Sequence, residues 1–307
     1  MGNNREGTSR WADLLTEQRN PASANIDELP TSEVLRVMNA EDRKVPEAVG
    51  MVLAGVARAV DLVVGAFQKG GRLFYVGAGT SGRLGVLDAA ECPPTFDTHP
   101  HMVQGIIAGG EAALTRSQEG AEDQQDSGAA ALRAQGLKQH DVVMGVAASG
   151  VTPFVLGALS QARKTGAAAL FLTCNPSSAE SVEADVKIVP EVGPEVITGS
   201  TRLKAGTATK LVLNMVTTAA MVRMGKTYGN LMVDLTPSCA KLQDRAERIL
   251  SEVTGLSREQ SCQALQASGN NLKTAITMVK RAVSKETARR LLARHNGIVK
   301  KALEAEI

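Results

Sequence analysis

Aromatic residues are scarce: one Trp, two Tyr and five Phe in 307 residues, or 3%. No ligand can be gripped by a row of stacked rings, so hydroxyls, amides and carboxylates must do the holding. Cysteine and histidine are equally thin. Cys92, Cys174, Cys239 and Cys262 are scattered, with no C-x-x-C pair and no His at metal-ligand spacing beside them. That excludes a disulfide framework and a zinc site, and it predicts a reduced, cytoplasmic location. A charge bias is missing too. Lys+Arg 34 against Asp+Glu 32 leaves a formal net charge of +2, which gives the chain no electrostatic reason to seek nucleic acid or membrane. No segment reaches the roughly 18 to 20 apolar residues of a membrane span. The opening MGNNREGTSR has no apolar core of a signal peptide, and Glu6 stands where myristoylation needs Ser or Thr. What remains, 43% hydrophobic and 21% charged, is an ordinary globular composition, long enough for one large domain and a small one. The expected partner is a small molecule.

Residues 1–50 are polar and broken by Pro21, Pro30 and Pro46, and they read as an arm or lid with a short helix through Met38, capped by Thr31 or Ser32. From Pro46 to Gln68 apolar residues recur at helical spacing, and Gly70-Gly71 then precedes a strand-like run, Arg72 to Val76. Further strand-like runs cover Met102 to Ile107, Asp141 to Val146, Ala167 to Thr173 and Val186 to Val189. Helical stretches such as Gly120 to Ala134 and Pro153 to Lys164 separate them. This alternation predicts a parallel sheet covered by helices on both faces, with its ligand beyond the carboxyl ends of the strands. Lys204 to Met224 is a long, mostly apolar helix. Residues 239–307 carry 13 Lys+Arg against 7 Asp+Glu, net +6, and leave the remainder at −4. A separate helical module is expected there, punctuated at Gly255, Gly269-Asn270-Asn271 and Asn296-Gly297. Its basic residues are interleaved with acids and lack aromatic partners, the pattern of a solvated surface rather than a nucleic-acid face. The domains so read are 1–50, 51–238 and 239–307.

Chemistry has to come from the loops after the strands. The first strand runs into Gly77-Ala-Gly79-Thr80-Ser81-Gly82, a formal G-x-G-x-x-G. A dinucleotide site would need an acid near the end of the second strand, and that strand ends in Ala108-Gly109. A phosphate or sugar loop would use the same glycines, with Thr80 and Ser81 as added donors at a helix N-terminus. A plain strand-to-helix turn explains the glycines but not the hydroxyls. The third strand empties into a similar loop, Ala147-Ala-Ser149-Gly150-Val151-Thr152-Pro153, with proline at the start of a helix. A third polar segment, Glu195 to Thr207, mixes hydroxyls with Arg202 and Lys204, which are either an anion clamp or helix-end cations.

Two sets of acids bear on these loops. Glu91 falls at the end of a helix read from Gly82, where Pro93-Pro94 should turn the chain. A carboxylate there gains nothing from the helix dipole, so its placement asks for another reason. Glu119, Glu122 and Asp123 follow the second strand, either as the charged first turn of a helix or as working groups.

The stretch Gly77-Ala-Gly-Thr-Ser-Gly-Arg-Leu-Gly-Val-Leu-Asp-Ala-Ala-Glu-Cys-Pro-Pro-Thr95 resembles the bacterial N-acetylmuramic acid 6-phosphate etherase family. So do Glu119-Gly-Ala-Glu-Asp123, Ala147-Ala-Ser-Gly150, Thr198-Gly-Ser200, Lys204-Ala-Gly-Thr-Ala208 and Asn230-Leu-Met-Val-Asp234. The likeness runs from Thr16-Glu17 and Asn20 to the C-terminal helices. It implies an α/β fold: a sugar isomerase (SIS) domain, built as a flavodoxin-like doubly wound parallel sheet, with a small ubiquitin-associated-like helical module at the end. It also implies a homodimer.

The activity implied is cleavage of the D-lactyl ether of N-acetylmuramic acid 6-phosphate to N-acetylglucosamine 6-phosphate and D-lactate, in recycling of cell-wall sugar. An ether is a poor leaving group. With the ring opened to the aldehyde, the proton on carbon 2 becomes acidic, lactate leaves carbon 3, and water adds across the double bond. Two carboxylates suffice for this route, which needs no metal and no redox cofactor. By resemblance Glu91 is the acid and Glu122 the base. Thr80, Ser81, Ser149, Gly150 and Thr152 hold the 6-phosphate, and Ser200 and Lys204 are candidates for the lactyl carboxylate. Two other classes share the domain. A sugar-phosphate isomerase would also take a proton from carbon 2 and would release no lactate. A non-catalytic sugar-phosphate sensor usually carries an N-terminal DNA-binding helix pair, for which residues 1–50 are too broken by proline.

Overall fold

The computed structural model describes residues 11, 14–235 and 240–306. They form two compact units, residues up to Ala89 with His101–Val216, and Ala90–Pro100 with residues from Thr217 onward.

The first unit begins with single 3-10 turns at Leu15–Glu17, Pro21–Ser23 and Ile26–Glu28, followed by α1 (Thr31–Asp42), α2 (Lys44–Gly50) and α3 (Leu53–Gln68). The single helix expected from Pro46 breaks at Met51 and Val52, whose amides turn back on Glu47 and Val49. Gly50, a poor helix former, immediately precedes the break. Beyond it Val56, Val60, Val63, Val64 and Phe67 bury one face of α3. Next come β1 (Leu73–Gly77), α4 (Gly79–Phe96), β2 (Val103–Ile107), α5 (Gln125–Ala134), β3 (Val142–Val146), α6 (Pro153–Thr165), β4 (Ala168–Leu172), α7 (Pro176–Ser181), β5 (Val186–Ile188) and α8 (Lys204–Arg223).

The five strands pair in the order β2-β1-β3-β4-β5, all parallel, with Leu73 aligned on both Val103 and Val142. Every residue of β1 and β3 is buried, as the apolar runs require of central strands covered on both faces. Chain order reverses between β1 and β3, so the crevice of a doubly wound sheet opens beyond their carboxyl ends. α5 and α6 cross backbone to backbone there. A Cβ on Gly128 would fall 1.9 Å from the Phe154 carbonyl oxygen, and one on Gly157 1.9 Å from that of Gln125.

Two expectations are corrected. α4 starts at Gly79 and runs through Pro93-Pro94 to Phe96. The prolines cost two ladder bonds, but the turn closes on them, because the Asp97 amide donates to Pro93 at 2.9 Å and Asp97 takes a left-handed conformation, φ 50°. α5 starts at Gln125 rather than near Gly120, which leaves Glu119, Glu122 and Asp123 in the preceding turns. Among the described residues no single helix is long and apolar enough to cross a membrane.

The second unit holds the ribbon β6 (Thr227–Tyr228) and β7 (Leu231–Met232), then α9 (Ala240–Thr254), α10 (Arg258–Ser268), α11 (Leu272–Arg281), α12 (Lys285–Arg294) and α13 (Val299–Glu304). Leu250, Leu265, Ile276, Leu291 and Val299 centre its core. Of the punctuation read from sequence, Gly255, Gly269, Asn270, Asn296 and Gly297 take positive φ, while Asn271 is extended and caps α11. Ser257 and Gln260 form a reciprocal capping box at α10.

Candidate active site

At the end of β1 the glycines serve the turn itself. A Cβ on Gly77 would sit 2.7 Å from the Gly82 nitrogen, one on Gly82 would sit 2.6 Å from Ile107, and Gly79 has φ 51°. The close approach lets α4 start within two residues of the strand. Thr80 and Ser81 thereby stand half-buried in the first helical turn, where unpaired backbone N–H groups gather.

The loop after β3 is pinned from below. The Ser149 carbonyl accepts from Asn175 Nδ2 at 3.1 Å and from Ser178 Oγ at 2.8 Å, and the Ala148 carbonyl accepts from the Cys174 amide at 3.0 Å. Gly150 has φ 79°, and a Cβ there would meet the Ser178 side chain at 2.3 Å. Cys174 is 2% exposed, and burial, with the charge of Glu195 adding to it, pushes its thiol up to about 12. Thr152 is the N-cap of α6, yet its side chain makes no capping bond.

Glu122 is fixed through its backbone, whose carbonyl accepts the Phe154 amide at 2.9 Å. Its exposed side chain borders two cavities. One, of 220 Å³, is lined by Gly79, Arg83, Glu119 and Glu122 among others. The other, of 470 Å³, is lined by Glu17, Glu122, Ser149, Thr152 and neighbours. The smaller opens beyond the carboxyl ends of β1 and β2, the larger beyond that of β3. A larger cavity of 590 Å³ lies at the amino ends of β3 and β4, between His140, Asp141 and Asp185, and includes none of the residues singled out from sequence.

Thr80, Ser81 and Gly150 adjoin the lining residues Gly79, Ser149 and Val151 but line neither cavity themselves, and neither do Glu91, Ser200 and Lys204. Glu91 is exposed on the stretch of α4 that groups with the second unit, and it lines neither cavity. Ser200 is half-buried in the turn before α8, its amide bonded to Ile197. Lys204 is 1% exposed, and its ammonium donates to Glu41 Oε2 at 2.7 Å. The anion-clamp reading of Lys204 is corrected, since its charge is already matched inside the protein. Glu41 also accepts from Asn20 Nδ2 at 2.8 Å and pairs with Lys44. Burial alone would raise its carboxyl, but the bonds from Lys204, Lys44 and Asn20 outweigh that and hold it at about 2. Glu195, whose carboxylate accepts the amides of Lys204 and Ala205, moves the other way, because burial outweighs those bonds.

Sequence reasoning missed this network and the place of Glu17 on the cavity wall. Gly199 donates to the Thr16 carbonyl at 3.0 Å, and a Cβ on it would lie 3.2 Å from Glu17 Oε2, so the N-terminal turns are laced to the loop before α8. A polar arm with scattered carboxylates gives no periodic signal for such a contact.

Residues 55–163 match the family model of the glucokinase regulatory protein N-terminal SIS domain. Among curated relatives, an N-acetylmuramic acid 6-phosphate etherase of Mesorhizobium japonicum is 56% identical over 94% of this chain and 94% of its own. One from Aliivibrio fischeri is 52% identical, covering 94% and 97%. N-acetylmuramic acid 6-phosphate etherase 1 of Bacillus licheniformis is 55% identical, covering 96% and 97%.

Proposed function

Because the chain belongs to the N-acetylmuramic acid 6-phosphate etherase family and is a carbon-oxygen lyase of SIS-domain type, we propose that Glu122 and Glu91 are the base and acid of its reaction. The substrate is N-acetylmuramic acid 6-phosphate, and the products are N-acetylglucosamine 6-phosphate and D-lactate, a step that recycles cell-wall sugar. The observation that carries the site assignment is that Glu122 borders the same cavity as Ser149 and Thr152, at the point where strand order reverses.

The 6-phosphate sits against the hydroxyls and N–H groups of Thr80, Ser81, Ser149, Gly150 and Thr152, where a helix N-terminus favours an anion. Once the ring is open, Glu122 removes the carbon 2 proton to leave an enolate, whose electron pair forms the carbon 2–carbon 3 double bond when lactate departs. Glu91 protonates the departing oxygen, then takes a proton from the water that adds at carbon 3, while protonated Glu122 returns a proton to carbon 2. Each acid-base step contributes on the order of 10² to 10⁴ in rate.

The assembly proposed is a homodimer, supported by the apolar side chains of Leu87 on α4 and Met215 on α8, both exposed. The location proposed is cytoplasmic, in keeping with free thiols at Cys174 and Cys262. The activity is tested by incubating the protein with N-acetylmuramic acid 6-phosphate and assaying free D-lactate. An aldose-ketose interconversion without lactate release would overturn it.

A further inference from the structure

Building on that reading, we propose that Arg83 binds the lactyl carboxylate of the substrate and so determines specificity for the ether over sugar phosphates that lack it. The substrate carries two anionic groups, and hydroxyl loops at helix N-termini account for only one of them. The second asks for a cation. Lys204 cannot supply it, because its ammonium is spent on buried Glu41.

Arg83 lies one helical turn beyond Gly79 on α4, and both line the 220 Å³ cavity. Among the described residues that line either cavity it is the one cation, set against Glu17, Glu119, Glu122 and Asp123. An anionic arm entering beside those carboxylates would be repelled unless a positive charge met it. The guanidinium is also held in one orientation, since its Nε donates to the Leu114 carbonyl at 3.1 Å. This leaves the terminal nitrogens to face a planar carboxylate, the fork geometry that Arg suits better than Lys.

Cavity size agrees with this division. The 470 Å³ space suits a sugar phosphate. The 220 Å³ space suits a three-carbon acid, and Glu122 stands on the border of both. That is where a base for carbon 2 belongs when the group leaving carbon 3 points into the smaller cavity.

The test compares two ligands that differ only in the lactyl arm. In Arg83→Gln the KM for N-acetylmuramic acid 6-phosphate is expected to rise about 10- to 100-fold, the loss of a charged hydrogen-bonding pair. N-acetylglucosamine 6-phosphate should stabilise the variant against heat as it does the wild type, which also shows that the variant folds. Arg83→Lys should recover part of the loss. Equal weakening of both ligands would assign Arg83 to the phosphate and overturn the proposal, as would an unchanged KM. A wild-type protein that binds both sugars but frees no lactate would instead sink the etherase reading on which the proposal rests.

Discussion

The carbonyl of Glu122 accepts the amide of Phe154 at 2.9 Å. One bond therefore couples the turn that carries Glu122, the proposed base, to the helix that opens after the Ser149 loop. Glu122 and that loop share one support, secured by the glycine crossing of α5 and α6.

Gly157→Ala tests that support. The added methyl falls 1.9 Å from the Gln125 carbonyl oxygen, so the helices must separate and carry the Glu122 turn with them. A stability loss of roughly 1 to 3 kcal/mol is expected, with a fall in kcat beyond what the folded fraction explains. Denaturant titration beside a lactate assay reads both. Normal turnover in a folded variant would uncouple Glu122 from the crossing.

Ser149→Ala and Thr152→Val should each weaken binding of the 6-phosphate sugar while leaving the fold intact. Removing one hydrogen bond to a charged group costs roughly 1.5 to 3 kcal/mol. Michaelis constants that stay put in both variants would move the phosphate elsewhere.

The roles of the two carboxylates separate by isotope exchange. Glu91→Gln should still exchange the carbon 2 hydrogen with deuterated water and release no lactate, whereas Glu122→Gln should lose both. The opposite pattern would reverse the assignment, and normal lactate release in both would dismiss the two-carboxylate mechanism. Thermal stabilisation by the sugar phosphate checks that each variant is folded and binds.

Glu41 sets an acid limit on stability. Its carboxyl is lowered from an ordinary 4.5 to about 2 in the folded state, so its contribution is complete above pH 4.5 and is lost as pH falls toward 2. The full amount is on the order of 3 kcal/mol. Glu41→Gln should flatten that part of the pH–stability curve and, by leaving Lys204 buried without its counter-charge, cost about 3 to 5 kcal/mol near neutrality. Urea midpoints from pH 3 to 7 compare the two proteins, and parallel curves would remove Glu41 as the cause.

The sheet was legible because its strands are short apolar runs between turn residues, and burial of β1 and β3 on both faces leaves no alternation to misread. Both hydroxyl loops were legible as loops that end strands. The prolines of α4 were read by their usual effect, and nothing local revealed that Asp97 would close the turn around them. α5 was begun too early because Glu119 to Asp123 looks like an acidic first turn, while its fate depends on Phe154, some thirty residues on. Lys204 beside Arg202 has the pattern of a surface pair, and the partner that buries it, Glu41, lies 163 residues upstream. Contacts of that span leave no periodicity behind.

Cys174, held under the Ser149 loop by its bond to Ala148, makes the loop's breathing observable without an added label. Alkylating agents attack the thiolate, and a thiol raised to about 12 and shielded from solvent has almost none to offer at neutral pH. Its modification must pass through moments when the loop lifts, so the rate, followed on the Cys174 peptide by mass spectrometry, is a clock for local opening. A sugar phosphate that seals the loop should slow that clock in proportion to its occupancy.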